Sequence, residues 1–212
     1  MRWGAAPAIH VAADPAAALR EYASVPIAFT VRSVLDVAEP AAAAEGFVLT
    51  ERRLDVPYVK DYDAIPGEHP TAWAKRFDVS RWGVFVARVA GRRVGGAVVA
   101  CRTPGLDMLE GRDDLAVMWD IRVAPEIRGK GVGAALFRAA EAWARTHGCR
   151  QLKVETQNVN VAACRFYARQ GCVLTSVHRD VYPNLPGEIQ LFWYKHLYYV
   201  QRQLHTALTS DS

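Results

Sequence analysis

Little in this chain points to a metal, a disulfide framework, a membrane or nucleic acid. Cysteine is scarce: four in 212 residues, at 101, 149, 164 and 172, with no C-x-x-C among them. A chain of this length does not depend on disulfide staples, so free thiols in a reducing cytoplasm fit best and a structural zinc is not expected. No apolar run is long enough to span a bilayer. The Ala-rich opening, MRWGAAPAIHVAADPAAALREYASV, is broken by His10, Asp14 and Pro15 and offers no clean leader core. There is no internal repeat and no basic stripe interleaved with aromatics, so a nucleic-acid partner is not implied. Charged residues are 23% against 51% hydrophobic, so a packed domain is expected rather than bulk disorder. The net charge of +4 is modest and suits a small partner carrying several phosphates.

What the chain does contain is concentrated in Trp119–Ala134, WDIRVAPEIRGKGVGA. An alternating, strand-like WDIRV meets Pro125, then a basic glycine-rich turn carries Arg128, Gly129, Lys130, Gly131 and Gly133. A helical pattern opens directly after it over 134–147, with Leu136, Ala140, Trp143 and Ala144 on one face. A glycine-rich turn feeding a helix N-terminus is an anion cradle: free N–H groups converge, and no Cβ keeps a phosphate away. Three phosphate-loop readings compete. The P-loop string G-x-x-x-x-G-K-[ST] is absent. Gly129, Gly131 and Ala134 satisfy the dinucleotide fingerprint G-x-G-x-x-A, with Glu155 about twenty residues on. However, the glycines stand six residues beyond their strand, and only 57 residues follow Glu155, too few for a doubly wound sheet. The third reading is R-x-x-G-x-G, Arg128 to Gly133. An ordinary glycine-rich helix cap is the plain alternative to all three.

A second strand-to-helix junction follows. QLKVET alternates like a strand and ends at Glu155. Asn158 or Asn160 can cap the next helix, and Gly171 can stop it. Asn160 and Tyr167 are seven residues apart, almost two turns, and so share a face. With Arg128–Gly133, this Glu155…Asn160…Phe166-Tyr167…Gly171 frame resembles the GNAT superfamily of N-acetyltransferases over roughly 80–200. The runs ETQNVNVAACRFYARQGC and EIQLFWYKHL also resemble, more weakly, its streptothricin acetyltransferase branch.

The resemblance implies an α/β fold with a mixed six- to seven-stranded sheet flanked by helices. An N-terminal Ala-rich extension (1–25) would precede the acetyltransferase domain (26–198), and a C-terminal tail (199–212) would follow. It implies acetyl-CoA as co-substrate, a primary amine as acceptor and no metal. The cofactor-binding set would be Ile121, Arg122, Val123, Arg128, Gly129, Lys130, Gly131, Val132, Gly133, Ala134, Asn160 and Tyr167. A small-molecule amine is the expected partner, a streptothricin-like antibiotic being one candidate. A protein N-terminus or lysine, a non-catalytic acyl-CoA-binding regulator and a homodimer stay open.

The chemistry gives these residue types a reason. An acceptor amine with a pKa near ~10.4 is neutral in only about one molecule in ~2,500 at pH 7, a barrier of roughly 4.6 kcal/mol. Glu155 is the candidate base, directly or through water. A backbone N–H near Val123 could hold the oxyanion. Tyr167, a phenol of ordinary pKa about ~10, is the candidate acid for the thiolate leaving group. Asn160 suits an amide of the pantetheine arm. Each has a plainer reading: Tyr167 as a helix anchor, Asn160 as a cap, Glu155 as a solvated strand-end carboxylate, Cys164 as packing. Asp120 either faces the acceptor or pairs with an Arg.

Elsewhere, 15–24 reads as a short helix, 27–37 as a strand, 41–45 as helical, and 47–56 as mixed. PYVKDYDAIPGEHP (57–70) reads as a loop, 71–77 as a short helix, and 82–103 as a hairpin turning at Gly91. Residues 172–180 and 188–197 read as closing strands, with a tail that is helical and then frayed. The segments 57–78 and 181–188 would shape the acceptor pocket, with Tyr58, Tyr62, Asp61, Asp63, Glu68, Tyr182 and Glu188. Of these Tyr62 and Glu188, with Asp120, are the candidate acceptor contacts, because aromatic faces and carboxylates suit a cation.

Overall fold

A computed structural model describes residues 8–39, 46–185 and 187–198. The helix expected at 41–45 and the tail from 199 lie outside the described residues. The strands are β1 (Ile9–Asp14), β2 (Phe29–Ala38), β3 (Val48–Lys60), β4 (Gly83–Val89), β5 (Arg92–Cys101), β6 (Leu115–Val123), β7 (Gln151–Gln157), β8 (Val173–His178) and β9 (Gln190–His196). The helices are α1 (Leu19–Tyr22), α2 (Pro70–Arg76), α3 (Val132–Thr146) and α4 (Val161–Arg169). Seven strands form one mixed sheet in the order β1-β4-β5-β6-β7-β9-β8, and β2 pairs only with β3. Among the described residues the single parallel neighbour pair is β6 with β7, joined through α3.

α3 forms because an Ala-rich run places Leu136, Phe137, Ala140 and Ala144 on one face, all fully buried. α4 buries Val161, Cys164 and Tyr167, one turn apart each. Together they cover one face of the sheet. α1 and α2 cover the other, with Tyr22, Trp73 and Trp82 packed on Val84, Val98 and Val117. Tyr22 reaches the sheet because Gly96 has no side chain: a Cβ there would lie 2.4 Å from the Tyr22 ring.

Two expectations need correcting. Residues 57–70 are not all loop, since β3 runs on to Lys60. Its Pro57 falls within the bulge between the Val31–Tyr58 and Ser33–Arg53 pairs, where no ladder hydrogen bond is needed. The N-terminal extension is not merely an appendage, because Ile9–Asp14 pairs with β4 and forms an edge of the large sheet.

Candidate active site

The site opens where two parallel strands part. β6 and β7 pair only from Leu115–Gln151 to Met118–Val154. At that level β6 also bulges: Val98 faces Asp120 and Val99 faces Met118, leaving Trp119 as the extra residue. A bulge bends its strand and sharpens the local twist. Trp119–Val123 therefore swings away from Glu155–Gln157, and a cavity of about 1190 Å³ lies between them. That exceeds the roughly 300–1,000 Å³ of an ordinary ligand pocket and leaves room for two substrates. The Ala124 N–H goes to Val94 O on β5. Strand N–H groups alternate sides, so those of Val123 and Ile121 face the parted side.

The glycine loop closes one end. Gly131 caps α3 in the left-handed region (φ +87°), which a residue with a Cβ adopts only under strain, and no side chain caps that 15-residue helix. The N–H groups of its first turn are thus free for an anion. Gly129, Gly131, Gly133 and Ala134 line the cavity, and open space surrounds the Cβ position of Gly129. These residues fit a pyrophosphate.

Three of the cofactor candidates present different groups to their surroundings, and of these Arg128 lines the cavity. Val132 turns its side chain into the core, leaving only its N–H for a ligand. Lys130 is exposed and does not line the cavity. Arg128 lends its guanidinium to carbonyls, Nε to Val123 O at 2.9 Å and Nη2 to Ala28 O at 3.1 Å, so it straps the segment before β2 to the end of β6.

The junction at β7 and α4 gathers the remaining candidates. Asn160 both caps α4, accepting from Ala163 N at 3.1 Å, and lines the cavity. Tyr167 is 6% exposed and lines the same cavity. Burial holds its phenol well above the usual range, so it keeps its proton throughout neutral pH. Burial also pushes the Cys164 thiol up to about 12, in keeping with a packing role.

The acceptor candidates are more heavily engaged than their residue types suggested. Glu188 is not a free acid: Lys60 Nζ lies 2.7 and 3.0 Å from its two oxygens, both side chains being buried. Asp120 accepts from Tyr22 OH and from Arg122, whose buried guanidinium also holds Asp63 at 2.8 Å. Arg122 is thus an interior cation on the α1–α2 side of the sheet, and any cofactor contact must come from its backbone. Tyr62 donates to Gln157 Oε1, and Glu155 Oε1 accepts from Tyr182 OH at 2.6 Å.

Lys60, Gln157, Tyr22 and the Arg122–Asp63 pair carried no sequence signal. The contacts Tyr22–Asp120, Lys60–Glu188, Tyr62–Gln157 and Asp63–Arg122 each join residues 59 to 128 apart. No group of three or more His, Cys, Asp or Glu among the described residues is arranged to hold a metal. No helix among them is long and apolar enough to cross a membrane.

A glycine cradle under a parted parallel strand pair, with a carboxylate and a neutral phenol beside it, fits a group-transfer site with room for a phosphate-bearing donor. The model of the acetyltransferase (GNAT) family matches residues 50–172. Streptothricin acetyltransferase A of Bacillus subtilis (strain 168) is 30% identical over 157 residues, 73% of this chain and 83% of that one. The crystal structure of nourseothricin acetyltransferase superposes with a TM-score of 0.68 at 27% identity, covering 90% of this chain and 99% of the other. A streptothricin acetyltransferase fold from Bacillus anthracis str. Ames, solved with acetyl coenzyme A, gives a TM-score of 0.71 at 22% identity, covering 89% and 99%. The chain belongs to the acetyltransferase (GNAT) family and is an N-acetyltransferase.

Proposed function

We propose that this enzyme moves acetyl from acetyl-CoA to a primary amine of a small cationic molecule. A streptothricin-like antibiotic is the first candidate, because relatives named for streptothricin span most of the chain. One observation carries the reading. Five carboxylates line the cavity, and four are ion-paired: Asp63 and Asp120 with Arg122, Glu68 with Arg76, and Glu188 with Lys60. Glu155 alone has no cationic partner among the described residues. A carboxylate kept from neutralisation inside a cavity is a group able to receive a proton.

Acetyl-CoA supplies an activated acetyl thioester when bound. The free N–H groups at Gly131–Ala134 would hold its pyrophosphate, and Asn160 would meet an amide of its arm. Glu155 takes the proton from the acceptor ammonium, directly or through one water. The N–H groups of Ile121 and Val123 face the parted strands and can receive a developing oxyanion. Tyr167, held protonated by burial, gives its proton to the departing sulfur. A reducing cytoplasm is the compartment this reading favours, since none of the four cysteines is paired.

The test is thiol release from acetyl-CoA in the presence of a panel: a streptothricin, spermidine, an aminoglycoside, a neutral amino-acid ester and a peptide with a free N-terminus. Saturable release with a cationic small amine is expected. Release no faster than in buffer for every amine, with acetyl-CoA still bound, would favour a non-catalytic acyl-CoA-binding regulator. Release with the peptide alone would favour a protein acetyltransferase.

A further inference from the structure

Gln157 stands two residues beyond Glu155 on β7, so both side chains leave the same face of the strand. Its amide takes part in a directed chain of hydrogen bonds. Oε1 accepts from Tyr62 OH. Nε2 donates to Tyr182 OH at 3.0 Å, and Tyr182 OH donates to Glu155 Oε1 at 2.6 Å. The direction is fixed by inventory. Tyr62 has one proton, and it goes to the amide oxygen. That leaves the amide nitrogen toward Tyr182, whose one proton is then free only for the carboxylate. Tyr62 belongs to the segment between β3 and α2, Tyr182 to that between β8 and β9. Two remote segments thus meet on the strand that carries Glu155.

We propose that Gln157 and Tyr182 are positioning residues for Glu155: the amide orients the phenol, and the phenol holds the carboxylate in its charged form, aimed at the acceptor. The inference rests on the reading of Glu155 as the base.

The other charged and titratable groups around the cavity leave this role to Tyr182. From the β3 side, Lys60 is bound to Glu188 of the β8–β9 segment, so the two neutralise each other. From β6, Arg122 is held by Asp120 and Asp63. From α4, Tyr167 is a neutral phenol, Cys164 directs its thiol at the Gln157 carbonyl, and the cation of Arg169 lines the cavity without a hydrogen bond to Glu155 among the described residues. From β9, Phe192 stands opposite Glu155 and brings no charge. The donated hydrogen bond of Tyr182 is the shortest side-chain contact made to Glu155, with a long contact from Gln157 Nε2 at 3.5 Å beside it.

The experiment is the pH profile of kcat/KM for the wild type, Glu155→Gln, Tyr182→Phe and Gln157→Met, using the best amine of the panel. Acetyl-CoA affinity is measured by calorimetry for each. A hydrogen bond given to a carboxylate favours its charged form, so its loss raises the pKa. Tyr182→Phe should move the acidic limb about one unit upward, a tenfold fall in rate below the limb, with affinity for acetyl-CoA unchanged. Gln157→Met should move it the same way by less. If Glu155→Gln removes the limb but Tyr182→Phe leaves it in place, or lowers the rate equally at every pH, the positioning role is wrong and the base reading stands. If Glu155→Gln keeps the limb and the full rate, the base reading falls and the inference with it.

Discussion

The two ends of the cavity are built in opposite ways. The glycine end is made of backbone from one continuous segment, Arg128–Ala134, and its recognition groups are N–H donors that no side chain caps. The other end is made of side chains from at least four segments, and most of its charges are already spent on one another. The first can hold a polyanion whatever the rest of the ligand is. The second holds its shape through ion pairs and leaves one lining carboxylate, Glu155, without a cationic partner among the described residues. A substitution at the glycine end should therefore weaken donor binding and spare the fold, whereas one at the acceptor end should act on the fold or the chemistry.

The largest effect separates fold from chemistry. Lys60 and Glu188 are a buried pair, and removing one partner strands a charge in the interior. Lys60→Met should destabilise the protein by about 3–5 kcal/mol, read as a lower urea midpoint at an unchanged slope. Lys60→Met with Glu188→Leu should recover much of that loss, since the orphan carboxylate is gone. A single variant as stable as the wild type would mean the pair is not closed in solution.

Next in size is Tyr167→Phe. On the proposed role of Tyr167 as proton donor, which acts in the transition state, kcat should fall by about 10²-fold or more while acetyl-CoA affinity is kept. Burial holds this phenol above its usual pKa. It therefore stays protonated as pH rises, and kcat should show no alkaline fall from Tyr167 below pH ~10. A fall in kcat centred near pH 8 to 9, lost in Tyr167→Phe, would contradict the burial argument. Last comes salt: donor binding should weaken by a few-fold as ionic strength rises from ~0.1 M toward ~1 M, because exposed phosphate contacts are screened.

The same contrast explains what could be read without coordinates. The Gly131 loop, β6, α3, and the Glu155–Asn160–Tyr167 frame were legible because each lies in one short stretch with a fixed period or spacing. The length of β3 was not. It pairs only with β2, its Val56 and Val59 are exposed, and so no apolar alternation marks it. β1 was missed because a six-residue edge strand with Ala at 12 and 13 has too weak a pattern. Glu188 was read as an acceptor contact because a carboxylate carries no mark of a lysine 128 residues away. Gln157 went unnoticed because its hydrogen bonds reach groups on other segments.

The most direct measurement is the dissociation constant of acetyl-CoA, by calorimetry, for the wild type, Gly131→Val and Glu155→Gln. A side chain at Gly131 both strains a left-handed backbone position and intrudes on the cradle. The account predicts binding at least tenfold weaker in Gly131→Val, about 1.4 kcal/mol, and unchanged in Glu155→Gln. Full affinity in Gly131→Val, or an equal loss in both variants, would contradict the division of the cavity into a donor end and an acceptor end.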